Sequence, residues 1–253
     1  MKSSESTKQP AQGPLRIGIL QADWVLDEFQ GEFGDYPAMF ARLLESANLT
    51  RTTPRELVLE TYVAINNEFP KVRGCDAYLI TGSRHSVYDD APWIHTLVEF
   101  VVAALAQQRK IIGICFGHQL LAHYFGGETR AASAGWSVGV QRTQLLCNES
   151  WMTPPIAEIG LLSSHKDQVL RLPEGARRFA SSESCPTAGF VIGEQVLALQ
   201  GHPEFTKGYS AALMQMRQEL LGEATYQRGM ASLSEDTHED VVGRWMLNFA
   251  DGI

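Results

Sequence analysis

Cys115 stands in Gly113-Ile114-Cys115-Phe116-Gly117, a thiol framed by small residues. A G-x-C-x-G run between a strand and a helix is the pattern of a nucleophile elbow, a turn sharp enough to lift the reacting atom above a sheet edge. Side chains at 113 and 117 would collide with backbone in so tight a turn. The helix that follows would aim its free N–H groups and the positive end of its dipole at the sulfur, which favours thiolate. Such a nucleophile needs a base. Gln200-Gly201-His202-Pro203-Glu204 offers an imidazole with a carboxylate two residues on, and Pro203 forces an extended turn that can present Glu204. His202 would take the thiol proton and return it to a departing amine, while Glu204 would fix the tautomer and stabilise the imidazolium. Cys75, Cys147 and Cys185 have no such setting. The absence of a Cys-x-x-Cys pair makes the cysteines read as free thiols rather than a zinc site or a disulfide framework.

These residues need elements to hold them. The apolar run 110–114 reads as a buried strand that passes through Cys115 into a helix over 118–125, stopped by Gly126-Gly127. A strand at 196–200 delivers His202 and forms a hairpin with 187–192 across Gly193-Glu194-Gln195. Upstream, strands are expected at 15–20, 56–63 and 76–80, with helices over 37–47 and 93–108. Strands alternating with helices predict an α/β fold: an open, mostly parallel sheet with helices on both faces. The second half changes character. Short strands at 138–146, 168–172 and 177–182 predict a small antiparallel section, and helices are expected over 207–221 and 237–250, with no assignment for 222–235. Residues 1–14 read as a disordered polar tail, and 15–253 as a single domain ending in those helices.

Taken together, GICFGHQ at 113–119 and GHPEF at 201–205 resemble the class I glutamine amidotransferase family over about residues 15–220. The likeness is strongest to its free-standing, GMP-synthase-like members and to the plant γ-glutamyl peptidases. It implies a flavodoxin-like fold and a Cys115, His202 and Glu204 triad that cleaves a γ-glutamyl amide through a glutamyl-thioester, without a cofactor. It also implies an oxyanion hole from the backbone N–H groups of Gly82 and Phe116, and a role for Gln119 in holding the glutamyl group. Leu162-Ser163-Ser164-His165-Lys166-Asp167-Gln168-Val169 is similar to the family's SHxDxV stretch, making Ser163, Ser164 and His165 candidate substrate contacts.

The chain also departs from that pattern. Ser83-Arg84-His85 follows Gly82 where many family members carry a second glycine, and Arg84 reads more readily as a surface charge than as a ligand for a substrate carboxylate. His118 and His123 are five apart on one helix, which puts them on different faces and speaks against a metal site. Residues 21–36 read as an acidic loop overhanging the active-site edge. A solvated cover is the plainer reading, recognition of a cationic leaving amine the sharper one.

A formal charge of −8 leaves no basic field for nucleic acid, and no apolar run is long enough to span a bilayer, so a cytoplasmic location is expected. Three functions remain open: release of ammonia from glutamine for a separate synthetase subunit, hydrolysis of larger γ-glutamyl conjugates, and a catalytically silent regulatory domain. No synthetase half and no G-x-x-x-x-G-K-[ST] loop accompany the domain.

Overall fold

The computed structural model describes residues 13–253, so the expected tail lies almost wholly outside the described residues. A nine-stranded sheet runs through the molecule in the order β2-β1-β3-β4-β11-β10-β9-β6-β7. Its parallel half comprises β1 (Leu15–Leu20), β2 (Leu57–Tyr62), β3 (Ala77–Ile80), β4 (Lys110–Ile114) and β11 (Val196–Leu199). The other half is antiparallel: β10 (Gly189–Ile192), β9 (Ala176–Ser181), β6 (Ser137–Leu145) and β7 (Glu158–His165). A separate two-stranded sheet pairs β5 (Glu128–Ala131) with β8 (Asp167–Arg171).

Apart from the half-exposed edge strand β2, the parallel strands are largely apolar on both faces because both are covered. Ile17, Leu79, Ile112 and Leu197 point into a core shared with α2 (Tyr36–Leu49) and α8 (Glu239–Asp251). Their neighbours Leu20, Tyr78, Ile111 and Ala198 point into the opposite core, against α3 (Pro92–Ala106) and α4 (Phe116–Tyr124). The period-2 alternation of side chains thus serves two cores with one set of strands.

Two expectations are corrected and one unassigned stretch gains its structure. Residues 21–36 are not all loop: Asp27–Phe33 form a helix, α1, whose acids Asp27, Glu28 and Glu32 are exposed while Phe29 and Phe33 pack on Tyr209 at centroid distances of 6.3 and 5.4 Å. Asp23 is buried, and Asp35 caps α2 and accepts the Val25 N–H. The unassigned 222–235 stretch contains α7 (Glu223–Ser232), which lies against β6 so closely that a Cβ on Gly139 would sit 2.2 Å from Ser232 Oγ. The single helix expected over 207–221 is broken at Arg217 into α5 (Lys207–Met216) and the short α6 (Gln218–Leu221). Among the described residues, no helix is long and apolar enough to cross a membrane.

Candidate active site

β4 ends at Ile114, and the chain turns through Cys115 at φ 51°, ψ −97° before α4 begins at Phe116. A positive φ is uncommon outside glycine and costs of order 1–3 kcal/mol unless its surroundings impose it. Here they do. A Cβ on Gly113 would lie 2.6 Å from the carbonyl of Gly117, and one on Gly117 would lie 2.8 Å from Ile80 O, so β4, α4 and β3 can meet only at glycines. No protein acceptor among the described residues takes the N–H of Phe116 or of Gly82, which leads out of β3. Thr81 fixes the second of these, its Oγ1 donating to Gly82 O and accepting from Ala22 N.

β11 lies beside β4 and brings the 200–204 turn to the same edge. His202 N donates to Leu162 O at 2.8 Å, which aligns the turn with β7. The His202 ring and Cys115 border the same cleft, and the ring's Nδ1 lies 2.7 Å from Glu204 Oε1. Phe205 stacks on the ring, centroids 3.9 Å apart. Burial alone would lower the imidazole's pKa, but the negative charge of Glu204 and the Cys115 sulfur outweigh it and push it up to about 10. His202 therefore carries its proton at neutral pH.

A cleft of about 380 Å³ opens over Cys115 and His202, bordered by Gln119, Ser164, His165 and Arg217 among others. Gln119 Nε2 donates both of its hydrogens inward, to Asp167 O at 2.8 Å and Gln200 Oε1 at 3.1 Å, which leaves its oxygen for a ligand. His165 is buried, and burial together with charged His202 holds it down to about 4, so it is neutral. Ser164 faces the cleft. Ser163 does not: its side chain lines a small polar cavity beneath the site with Gln141, Thr143 and Ser182.

Arg84 borders the cleft half-exposed, but its guanidinium is engaged in a two-pronged ion pair with buried Asp23. His118 is buried with its ring 5.1 Å from that of Phe190, whereas His123 is half-buried beside Tyr124. Burial, with His165 nearby, holds His118 down to about 3.

Tyr36, Trp136 and Arg217 also border the cleft, and sequence reasoning missed them. They come from three distant segments with no shared motif. Tyr36 alone had a local signal, standing next to Pro37 at the start of a periodic apolar run.

Residues 47–217 match the family model for class I glutamine amidotransferases. A glutamine amidotransferase-like protein of Schizosaccharomyces pombe is 35% identical over 201 residues, covering 75% of this chain and 79% of that protein. Gamma-glutamyl peptidase 3 of Arabidopsis thaliana is 29% identical over 202 residues, covering 76% of each. The GMP synthase of Porphyromonas gingivalis is 30% identical over 58% of this chain but only 29% of its own length. In fold, the chain is similar to a glutamine amidotransferase of Thermotoga maritima, with a TM-score of 0.71 at 16% identity, covering 95% of this chain and all of that one. The chain belongs to the class I glutamine amidotransferase family.

Proposed function

We propose that this protein is an enzyme that hydrolyses γ-glutamyl amide bonds through a thioester on Cys115. One observation carries the reading: Cys115, held at positive φ at the head of α4, opens onto the same cleft as His202, whose Nδ1 is 2.7 Å from Glu204. Sulfur attacks the amide carbon, the carbonyl oxygen takes the electron pair, and the N–H groups of Phe116 and Gly82 receive the oxyanion. His202 gives its proton to the leaving nitrogen as the C–N bond breaks, and the free amine departs. Water then attacks the thioester, with His202 taking its proton, the C–S bond breaks, and glutamate leaves. Each step uses groups of this chain, and no cofactor enters.

Gln119 Oε1, Ser164 and His165 are assigned to the glutamyl group. Ser163 is assigned a supporting place behind it, because its side chain faces the cavity beneath. The open cleft favours a leaving amine larger than ammonia, and with it a γ-glutamyl conjugate over glutamine alone. Ammonia release to a separate synthetase keeps support from the likeness to GMP synthase. A parallel assay decides between them: purified protein with glutamine and with γ-glutamyl peptides, measuring glutamate release. Turnover of peptides well above that of glutamine supports the hydrolase. Turnover of glutamine alone favours the amidotransferase, and turnover of neither leaves a silent domain.

A further inference from the structure

The cleft continues past Cys115 along a wall built from Trp136, Leu213, Arg217 and Leu220. Arg217 is the residue that breaks α5 from α6, so its side chain springs from the helix end toward the cleft. Its Nη1 donates to Ser164 Oγ at 2.9 Å, and its guanidinium lies 5.6 Å from the centre of the Trp136 ring. Both contacts hold the group in place while leaving most of its donors unused. Neither Arg217 nor Lys166, which also borders the cleft, pairs with a carboxylate among the described residues.

That is unusual in a chain of net charge −8, where acids outnumber bases. Two acids near the site are paired with cations, Asp23 with Arg84 and Glu204 with His202, whereas the Asp167 carboxylate on the cleft wall accepts from the Ser86 hydroxyl, at 2.6 Å. Arg217 and Lys166 thus bring two cations without a carboxylate partner to a cleft wall that carries one acid without a cation partner, Asp167, with an aromatic ring beside the Arg217 guanidinium and an exposed leucine, Leu220, at its rim. Arginine is the side chain best shaped to take a carboxylate with two parallel hydrogen bonds.

We propose that Arg217, on the platform of Trp136, is a specificity-determining residue that binds the carboxylate of a leaving amino acid or peptide with an apolar or aromatic side chain. This rests on the hydrolase reading above. The glutamyl half is taken to occupy the walls at Gln119, Ser164, His165 and Gly82, and Arg217, which donates to Ser164 at the border of that wall, turns its remaining donors to the half that departs. Cationic amines, the alternative raised by the acidic 21–36 segment, would meet a like charge here.

The test uses the Cys115→Ala protein, so that binding is read apart from turnover. Calorimetry compares γ-glutamylphenylalanine with γ-glutamylphenylalaninamide, which differ in the carboxylate alone. The acid is expected to bind roughly 10- to 100-fold more tightly, the range of a charge-assisted hydrogen bond. Adding Arg217→Gln should bring that ratio close to one, Arg217→Lys should restore part of it, and Trp136→Ala should weaken acid and amide alike.

Three results overturn the proposal: equal binding of acid and amide, a ratio unmoved by Arg217→Gln, or a loss of glutamine binding as large as that of the acid. The last would place Arg217 on the glutamyl carboxylate. Turnover by the unaltered protein is measured separately. Failure to cleave any γ-glutamyl substrate sinks the hydrolase reading, while the binding ratio still decides whether Arg217 selects a carboxylate.

Discussion

Three hydrogen bonds run from Arg84 to the buried carboxylate of Asp23, from its backbone N, Nε and Nη2, each at 2.8 Å. Asp23 follows β1 and Arg84 follows β3, so the pair ties the neighbouring loops together at the edge that carries Cys115. It also accounts for Ser83-Arg84-His85 in place of a second glycine: the loop is held by a side chain instead of by a tight turn.

Burial of Asp23 favours its neutral acid, but the bonds from Arg84 and the Trp24 N–H outweigh this and hold its carboxyl below the usual range. A lowered folded-state value contributes stability above the unfolded pKa, about 3.9, and that contribution is lost as pH falls through the folded value. Asp23→Asn should cost about 1–3 kcal/mol at neutral pH, since Arg84 is half-exposed and can turn to water. Melting temperature followed from pH 7 down to pH 3 checks this. The substituted protein should lose less of its stability on acidification than the original.

A glutamine-like electrophile should label Cys115 and no other cysteine. Burial raises the thiols of Cys75 and Cys147, and pushes that of Cys185 up to about 12, so none of them forms much thiolate near neutrality. Peptide mapping by mass spectrometry reads the result. Label on any of the three, or turnover surviving Cys115→Ala, removes the thioester mechanism.

In the proposed mechanism, the charge of Glu204 sets the alkaline limit of the reaction. His202 must be protonated to release the amine, and its raised pKa keeps it so up to about pH 10. The stability linked to this charge is likewise fully present below the unfolded value of about 6.5 and lost as pH rises through about 10. Glu204→Gln removes the negative partner, so the alkaline limb of kcat should move down by more than one pH unit. His202→Ala should cost roughly 10²–10⁴-fold in kcat, more than Glu204→Gln. A limb that stays in place would show that another group delivers the proton.

Gly82 tests how tightly the site is assembled. A Cβ there would lie 2.9 Å from His202 Cε1 and 3.8 Å from Cys115 Cβ, against the imidazole itself. Gly82→Ala should displace the ring by a fraction of an ångström and lower kcat by about 10²-fold, with little change in melting temperature, since ring displacement spares both cores. Unaltered kcat would mean that the ring has room to spare.

The parts of the fold readable in the sequence are those whose signals are contiguous. β4, the glycines around Cys115 and the 200–204 turn lie in short runs whose residue types are dictated by local sterics. β7 was not readable as a strand. Glu158–His165 mixes Gly160, Ser163 and Ser164 with apolar residues, and its structure comes from pairing with β6 and from the bridge between Leu162 and His202. α7 is similarly hidden, because it is held by the close approach of Gly229 to Val138, a distant contact with no periodic signal. Arg217 and Trp136 are 81 residues apart in sequence, and nothing near either one announces that they meet.

The acids of the 21–36 segment lose the role of amine receptors once their places are known. Asp23 is buried against Arg84, and Asp35 is spent on Gln21, Val25 and the cap of α2. Asp27 and Glu28 occupy the first turn of α1, where negative charge offsets the helix dipole, and they border a shallow hollow with Trp24 and Leu26 rather than the cleft over Cys115. Asp27→Asn combined with Glu28→Gln should therefore change KM for a γ-glutamyl-polyamine and for glutamine by the same factor, less than about twofold, as expected for exposed, salt-screened charges that do not line the cleft. Steady-state kinetics at low and at 0.15 M salt measure this. A rise in KM confined to the polyamine substrate, weakening with salt, would restore these acids as a binding surface and count against the positively charged wall at Arg217.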